Sequence, residues 1–386
     1  MNILVIRQTT SISKVLKSGF KLSLNLYIYC ISINYIFLIN WSQRLIYEIR
    51  ITMNVKFMVR MITYFPLLFL PLCIAFVNKP PRILKTNLQA SPTMWDILSK
   101  TMKERARNWF IERAEKSGIN WTALTNRYEK NIDKLESIYN RVNNQSIVYP
   151  SYYTRPFHGY DEGNLNWKAA TEGEAATLSM AVNYWKGNDP SVTEKWLRYN
   201  ITENLMTYID KHQRKRPISV LDVGCSVGIS TEYLYDSLPD CHDMTGLDLS
   251  PYFVALATYR ADENKLPIRY IHRNAEEPNL QESYDLIVCT FILHEVPKDA
   301  SIVILQELKK HLRKGGTLAI VDLDSSKVQD NLIVSAFRKW AFEVTEPHIY
   351  EYYQTDMIEI LQDIGLKKVE RVSNDPINSV WMATNN

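Results

Sequence analysis

Cysteine is scarce. Five residues in 386 (Cys30, Cys73, Cys225, Cys241 and Cys289) form no CxxC pair, which excludes a disulfide scaffold, a zinc ribbon and a thioredoxin-like motif. Glycine (12) and proline (16) are too few for a collagen-like chain, while 46% hydrophobic and 23% charged residues exclude intrinsic disorder. Acids are nearly missing from the beginning: residues 1–85 hold 11 of the 45 Lys and Arg but one of the 42 acids, Glu48. The net charge of +3 therefore belongs to that stretch, and the rest of the chain is acidic. That argues against nucleic acid as a partner, since its binding needs a phosphate-neutralising basic face.

What is there begins with a leader. Lys56 and Arg60 precede an apolar run from Tyr64 to Val77, which is shorter than the ~20 residues of a membrane span and suits a signal-peptide core, with Ala75 as the cleavage residue. Lys79, Arg82 and Lys85 follow with no acid before Asp96, a transit-peptide composition. The expected organisation is a leader over 1–92, a helical cap over 93–216 and an α/β domain over 217–386. Within the leader, an upstream extension precedes a signal peptide at about 53–75 and a transit-like segment at 76–92. It resembles the bipartite leaders of algal proteins, which implies plastid delivery and membrane contact through the leader only. Retention in the ER or a membrane-anchored form is the alternative.

Thr93 with Asp96 makes a capping box and Gly118 a C-terminal stop, which predicts a helix over 94–116. Leu124, Tyr128, Ile132, Leu135, Tyr139 and Val142 recur at spacings of three and four and predict a second helix over 121–142. Two prolines and two glycines keep the aromatic stretch from Tyr149 to Trp167 irregular, and helices over 167–185 and 191–212 follow. From Ile218 short apolar runs alternate with helical lengths (ISVLDVG, DMTGLDL, IRYIHRN, YDLIVCT, TLAIVDLD), the pattern of a parallel sheet covered on both faces. A last helix, over about 355–364, ends at Gly365. KKVERV and INSVWMAT then form two strands of a hairpin, which places one antiparallel strand in the sheet.

In VLDVGCSVGIS an apolar strand ends at Asp222, and Gly224, Cys225, Ser226 and Gly228 turn the chain into a helix. The glycines permit a sharp bend and close approach of a ligand, and the amides at the helix start suit an anionic group. A dinucleotide fingerprint is not met, because Ser226 stands at its second glycine and Ile229 at its third. GCSVG does satisfy GxSxG, which would make Ser226 the nucleophile of a serine hydrolase. That fold places several strands and an oxyanion glycine cluster before the serine, where this chain reads as helical.

From Val220 to Asp324 the stretches VLDVGCSVG, GLDLS, HRNAEEP, YDLIVCTFILHEVP and LRKGGTLAIVDLD, in that order, resemble the class I S-adenosylmethionine-dependent methyltransferases of small-molecule type. The resemblance implies a Rossmann-like α/β sheet of order 3-2-1-4-5-7-6 with strand 7 antiparallel, S-adenosyl-L-methionine as cofactor, a small-molecule methyl acceptor and no metal. It implies cofactor contacts from Asp222, Gly224, Cys225, Ser226 and Gly228, and from Asp248 and Leu249 after the second strand. A carboxylate at Asp248 can accept both ribose hydroxyls. Asn274 and Ala275 fall beside the adenine, with Asn274 in place of the family's acid, and Thr290 ends the fourth strand.

His294 follows that strand at the C-terminal edge of the sheet, where ligands collect, and is the candidate base, with Glu295 to orient it. The competing reading has His294 merely packing the start of the next helix. Tyr152, Tyr153, Phe157, His158 and Tyr160 read as a lid or as packing, and so do His348, Tyr350, Tyr352 and Tyr353 for the acceptor pocket. Asp322 and Asp324 end the fifth strand and read either as part of the site or as a solvated strand end. The expected function is methyl transfer by direct displacement to a small, aromatic or lipid-like acceptor. A non-catalytic S-adenosylmethionine-binding protein is the alternative.

Overall fold

The computed structural model describes residues 107–108, 110–158, 160–212, 215–327 and 346–386. The leader over 1–92, the Thr93–Asp96 capping box and most of the helix expected after the fifth strand lie outside these residues. The described residues fall in one compact unit, Pro92–Asn386, and among them no helix is long and apolar enough to cross a membrane.

Helical residues at 110–116 stop at Gly118, whose φ of +90° lets the Ile119 amide return to the Ala114 carbonyl. Next come α1 (Trp121–Glu129), α2 (Ile132–Val142), α3 (Trp167–Tyr184) and α4 (Pro190–His212). The α/β part runs β1 (Ser219–Val223), α5 (Ile229–Ser237), β2 (Asp243–Asp248), α6 (Pro251–Asn264), β3 (Ile268–His272), β4 (Tyr284–Thr290), α7 (Lys298–Lys310) and β5 (Leu312–Leu323). It closes with α8 (Ile349–Tyr353), α9 (Met357–Asp363), β6 (Lys367–Ser373) and β7 (Asn378–Thr384).

The single helix expected over 121–142 is thus two. Asn131 interrupts it: its amide donates to the Tyr128 carbonyl and its side chain to the Arg127 carbonyl, which caps α1 instead of prolonging it. The break lets α1 pack on α3 while α2 packs on α6.

The sheet has the expected order, β3-β2-β1-β4-β5-β7-β6, with β7 antiparallel to both neighbours. Its central strands are apolar on both faces because both are covered. Leu221, Ile287, Leu318 and Ile320 point to the side of α7 and α9, and Val220, Val288, Ala319 and Val321 to the side of α4 and α5. Each of the Leu, Ile and Val side chains contributes about 1.5–3 kcal/mol on burial. The edge strand β6 carries Lys367, Lys368, Glu370 and Arg371, charges that discourage further strand pairing.

Arg260 on α6 ties the helical region to the sheet. Its guanidinium donates to both carboxylate oxygens of Glu232 (2.9 and 2.8 Å), to the Tyr128 hydroxyl (2.8 Å) and to Glu174 (3.0 Å), joining α1, α3, α5 and α6.

Candidate active site

The bend after β1 is built for close approach. Gly224 (φ +70°) and Gly228 (φ +88°) are left-handed, and the amides of Gly224 and Cys225 both donate to the Leu247 carbonyl at 2.7 and 3.0 Å. A β-carbon on Gly224 would collide with Ile292, and one on Gly228 would lie 2.6 Å from the Tyr270 hydroxyl. Ser226 is left-handed too, at φ +48°, a conformation that disfavours any residue with a β-carbon.

Two acids frame the bend. Asp222 is fully buried, and its Oδ2 accepts from the Ser230 and Thr231 hydroxyls, both at 2.7 Å, so it fastens the strand to α5. Its Oδ1 is buried without a partner, an acceptor that a ligand donor would satisfy. Asp248 accepts from the Ser226 amide (2.9 Å) and the Ser250 amide (2.8 Å). Burial pushes its pKa up to about 6 against the pull of those amides. A sharp bend, an orphan acceptor and a carboxylate with lone pairs to spare fit a nucleoside-bearing cation.

The other expected contacts divide. Leu249 offers its carbonyl to His272 Nε2 at 3.0 Å. Asn274 spends Oδ1 on the Glu276 amide at 3.0 Å, shaping its own turn, and Ala275 packs on the main core. The Cys225 thiol is buried among Val254, Ala257 and Tyr270, and burial raises its pKa well above the ordinary value, so it is neither reactive nor turned to the crevice. Thr290 lines a small cavity with Arg198, Thr202, Ser230 and Tyr233 on the side of α4 and α5. The Cys225 and Ala275 side chains thus pack on their neighbours, and that of Thr290 faces this cavity.

At the same edge His294 Nδ1 lies 2.6 Å from Asp322 Oδ1, and Asp322 is fully buried at the end of β5. The other Asp322 oxygen accepts from the Leu293 amide at 3.0 Å. This overturns two expectations. Asp322 is no solvated strand end, and Asp322, not Glu295, orients His294. Asp324 is buried as well, but it serves the sheet, accepting from Ser379 Oγ (2.5 Å) and from Arg371. Burial disfavours charge on His294, but Asp322 first, then Glu295 and Glu346, outweigh it and raise its pKa to about 9. Burial pushes Glu295 up to about 7.

The aromatic stretch crosses this edge without regular structure. Tyr149 stacks on Tyr153 (centroids 6.1 Å, planes 7° apart) and its hydroxyl lies 3.3 Å from His272 Nε2. Tyr152 donates to Glu276 at 2.6 Å, the Asn164 carbonyl accepts from Ser250 Oγ at 2.7 Å, and His158 reaches Glu346 at 3.1 Å. The Tyr153 phenol, its pKa raised by burial first, is also raised by the charges of Asp248 and Glu295, so it stands between the two halves of the edge.

A family model described as a methyltransferase domain matches residues 194–371. Among known proteins, the ubiquinone biosynthesis O-methyltransferase of Rickettsia akari is 23% identical over 186 residues, 47% of this chain and 71% of its own length. The probable S-adenosyl-L-methionine-dependent methyltransferase TehB of Haemophilus influenzae is 26% identical over 180 residues, 46% of this chain and 60% of its own. The chain carries a class I S-adenosylmethionine-dependent methyltransferase domain. Solved structures similar to it include the plantazolicin methyltransferase BpumL with S-adenosylhomocysteine (17% identity, TM-score 0.38, 55% of this chain and 96% of that one). N-methyltransferase NodS of Bradyrhizobium japonicum, also with S-adenosylhomocysteine, is 21% identical with a TM-score of 0.38 over 54% of this chain and 98% of its own.

In a methyltransferase domain of this sheet order the bend after β1 has a donor to hold, and the GxSxG reading falls away. Among the described residues no histidine hydrogen-bonds Ser226, whose amide is taken by Asp248. Of two residues at this edge, the sequence reading named Asp322 without its role and missed Glu346. Asp322 left a signal, an acid inside the apolar run TLAIVDLD. Glu346 left none, because its partner His158 is far away in the chain.

Proposed function

We propose that the protein transfers the methyl group of S-adenosylmethionine to a small acceptor that must lose a proton, a phenolic hydroxyl before an amine, with His294 as the base and Asp322 as its anchor. The observation that carries this is the 2.6 Å contact from a fully buried Asp322 to His294 at the sheet edge that also holds Asp248. When bound, the sulfonium supplies an already activated methyl carbon. The chain must align the acceptor, an effect that can contribute roughly 7–11 kcal/mol, and remove its proton. A carboxylate acceptor, ionised already, would need no base, and Glu295, Glu346 and Asp322 around the edge would repel it. The aromatic side chains of Tyr149, Tyr152, Tyr153 and Phe157 favour an aromatic or lipid-like body over a sugar. The name of the Rickettsia relative, an O-methyltransferase, points the same way.

The test is transfer of labelled methyl from S-adenosylmethionine to a panel of small phenols and amines. His294→Gln should cut turnover about 10²–10⁴-fold while S-adenosylhomocysteine still binds. Turnover in that variant at the wild-type rate overturns the base assignment, and tight donor binding with no labelled product from the wild type supports the non-catalytic binder instead. Delivery to a plastid through the leader is proposed alongside; a fluorescent fusion to residues 1–92 that remains in the cytosol refutes it.

A further inference from the structure

Beside the dyad stands a second cluster of titratable side chains. His158 Nε2, on the irregular stretch that crosses the edge, lies 3.1 Å from Glu346 Oε1 and 3.6 Å from Glu295 Oε1. Its backbone is left-handed (φ +52°) and its ring packs on Phe157 with centroids 3.8 Å apart, so the imidazole is held, not adrift. Glu346 is buried, and its other oxygen has no partner.

The groups facing His294 come from five places. Asp322 arrives from β5, Glu295 from the loop of His294 itself, Glu346 from the turn before α8, the Tyr352 ring from α8 at 6.2 Å and His158 from the crossing stretch. Three carboxylates against one imidazole favour its protonated form. One imidazole in the set, His158, opposes them, and it sits on the irregular stretch that crosses this edge.

We propose that His158 is a positioning residue for methyl transfer: carried by the crossing stretch, it pairs with Glu346 and Glu295 and withdraws their charge from the His294–Asp322 dyad beneath. The placement of this stretch and the readiness of the base are thereby coupled. The inference rests on the reading of His294 as the base. It accounts for the pairing of a left-handed histidine with a buried acid that otherwise lacks a task, and the mutual influence runs the expected way. Burial opposes charge on His158, Glu295 and Glu346 raise its pKa, and His294 lowers it.

The experiment is the titration of His294 by ¹⁵N-histidine NMR in the full chain with S-adenosylhomocysteine, the signal being assigned as the one missing from His294→Gln. His158→Gln should move the His294 midpoint up by about one pH unit and Glu346→Gln should move it down by a similar amount. His158→Lys, which supplies a positive charge without the ring, should return it toward the wild-type value or below. The pH profile of labelled methyl transfer should shift in the same directions. No shift in either variant, or shifts of the same sign as a general loosening of the stretch would give, overturns the proposal. Wild-type turnover in His294→Gln would instead sink the base assignment while leaving the titration shifts to be judged on their own.

Discussion

Asp248 offers the most direct test of how the donor is held. If its carboxylate takes both ribose hydroxyls, two charge-assisted hydrogen bonds are at stake, together about 3–5 kcal/mol, or roughly a hundred- to several thousand-fold in affinity. Asp248→Asn removes them with little change in size. It also disturbs the bend, since Asp248 holds the Ser226 and Ser250 amides at 2.9 and 2.8 Å and an asparagine keeps one acceptor oxygen for two donors. A proton is the cleaner perturbation. Burial has raised Asp248 to about 6, so the carboxylate is present above that pH and lost below it. Affinity for S-adenosylhomocysteine should be flat above pH 7 and fall about tenfold per unit below 6. His272 nearby does not confuse the window, because burial lowers it to about 4 and it stays neutral throughout. Calorimetry from about pH 5 to 8 measures both effects. Flat affinity across that range, or an Asp248→Asn variant that binds like the wild type, refutes the reasoning.

The remaining predictions concern stability. His272 accepts from the Asn144 amide at Nδ1 (3.0 Å) and donates to the Leu249 carbonyl at Nε2 (3.0 Å), bonds that need the neutral ring. Its folded pKa of about 4 lies below the ordinary 6.5, so its contribution is full above 6.5 and about 3 kcal/mol is lost as pH falls toward 4. Urea unfolding of the wild type and His272→Gln should differ in that acid limb, and equal limbs refute it. His294 behaves oppositely: its value of about 9 makes its contribution complete below 6.5 and lost as pH rises past 9, an alkaline loss that His294→Gln should abolish. Arg260→Leu strands Glu232 and Glu174 and should cost about 3–5 kcal/mol in urea unfolding, whereas a cost below about 1 would deny the hub any role in stability. Ser226→Gly relieves the left-handed serine and should stabilise by up to about 1 kcal/mol without loss of S-adenosylhomocysteine binding; a loss of stability would show that the serine is not strained.

The strands, the bend and the acid at 248 were legible in the sequence because their signals are local, whereas the order of the strands came from the resemblance alone. A parallel strand buried on both faces is one apolar run, a left-handed turn asks for glycine, and an acid closing the second strand sits two dozen residues from the bend it serves, in a pattern fixed by the alternation of strand and helix. The break at Asn131 was hidden because Tyr128 and Ile132 keep a spacing of four across it, so the periodicity reads straight through. Ser226 stayed ambiguous because a nucleophile elbow and a nucleoside bend both ask the chain for a sharp turn at that point. Only its neighbours separate the two, and Asp248 at 2.9 Å from its amide is a neighbour supplied by the next strand.

The partners of His294 were misassigned for a related reason. Glu295 is adjacent in sequence and tempting as its anchor, yet Phe291 at φ +56° turns the chain after β4 and the imidazole reaches across to Asp322 on β5. Strand pairing sets Thr290 beside Val321, so the residue after Val321 is the one within reach of a loop leaving β4. An acid there has two possible fates: remain in water and stop the strand, or be buried and find a donor. The apolar neighbours Ile320, Val321 and Leu323 decide for burial, and the imidazole is the donor that makes burial tolerable. If that is why Asp322 is tolerated, Asp322→Asn should fold with the imidazole still in place but with its pKa drawn down from about 9, since one of three carboxylates would be gone. A histidine midpoint unchanged in that variant would place the source of the shift elsewhere and return His294 to the status of a packing residue.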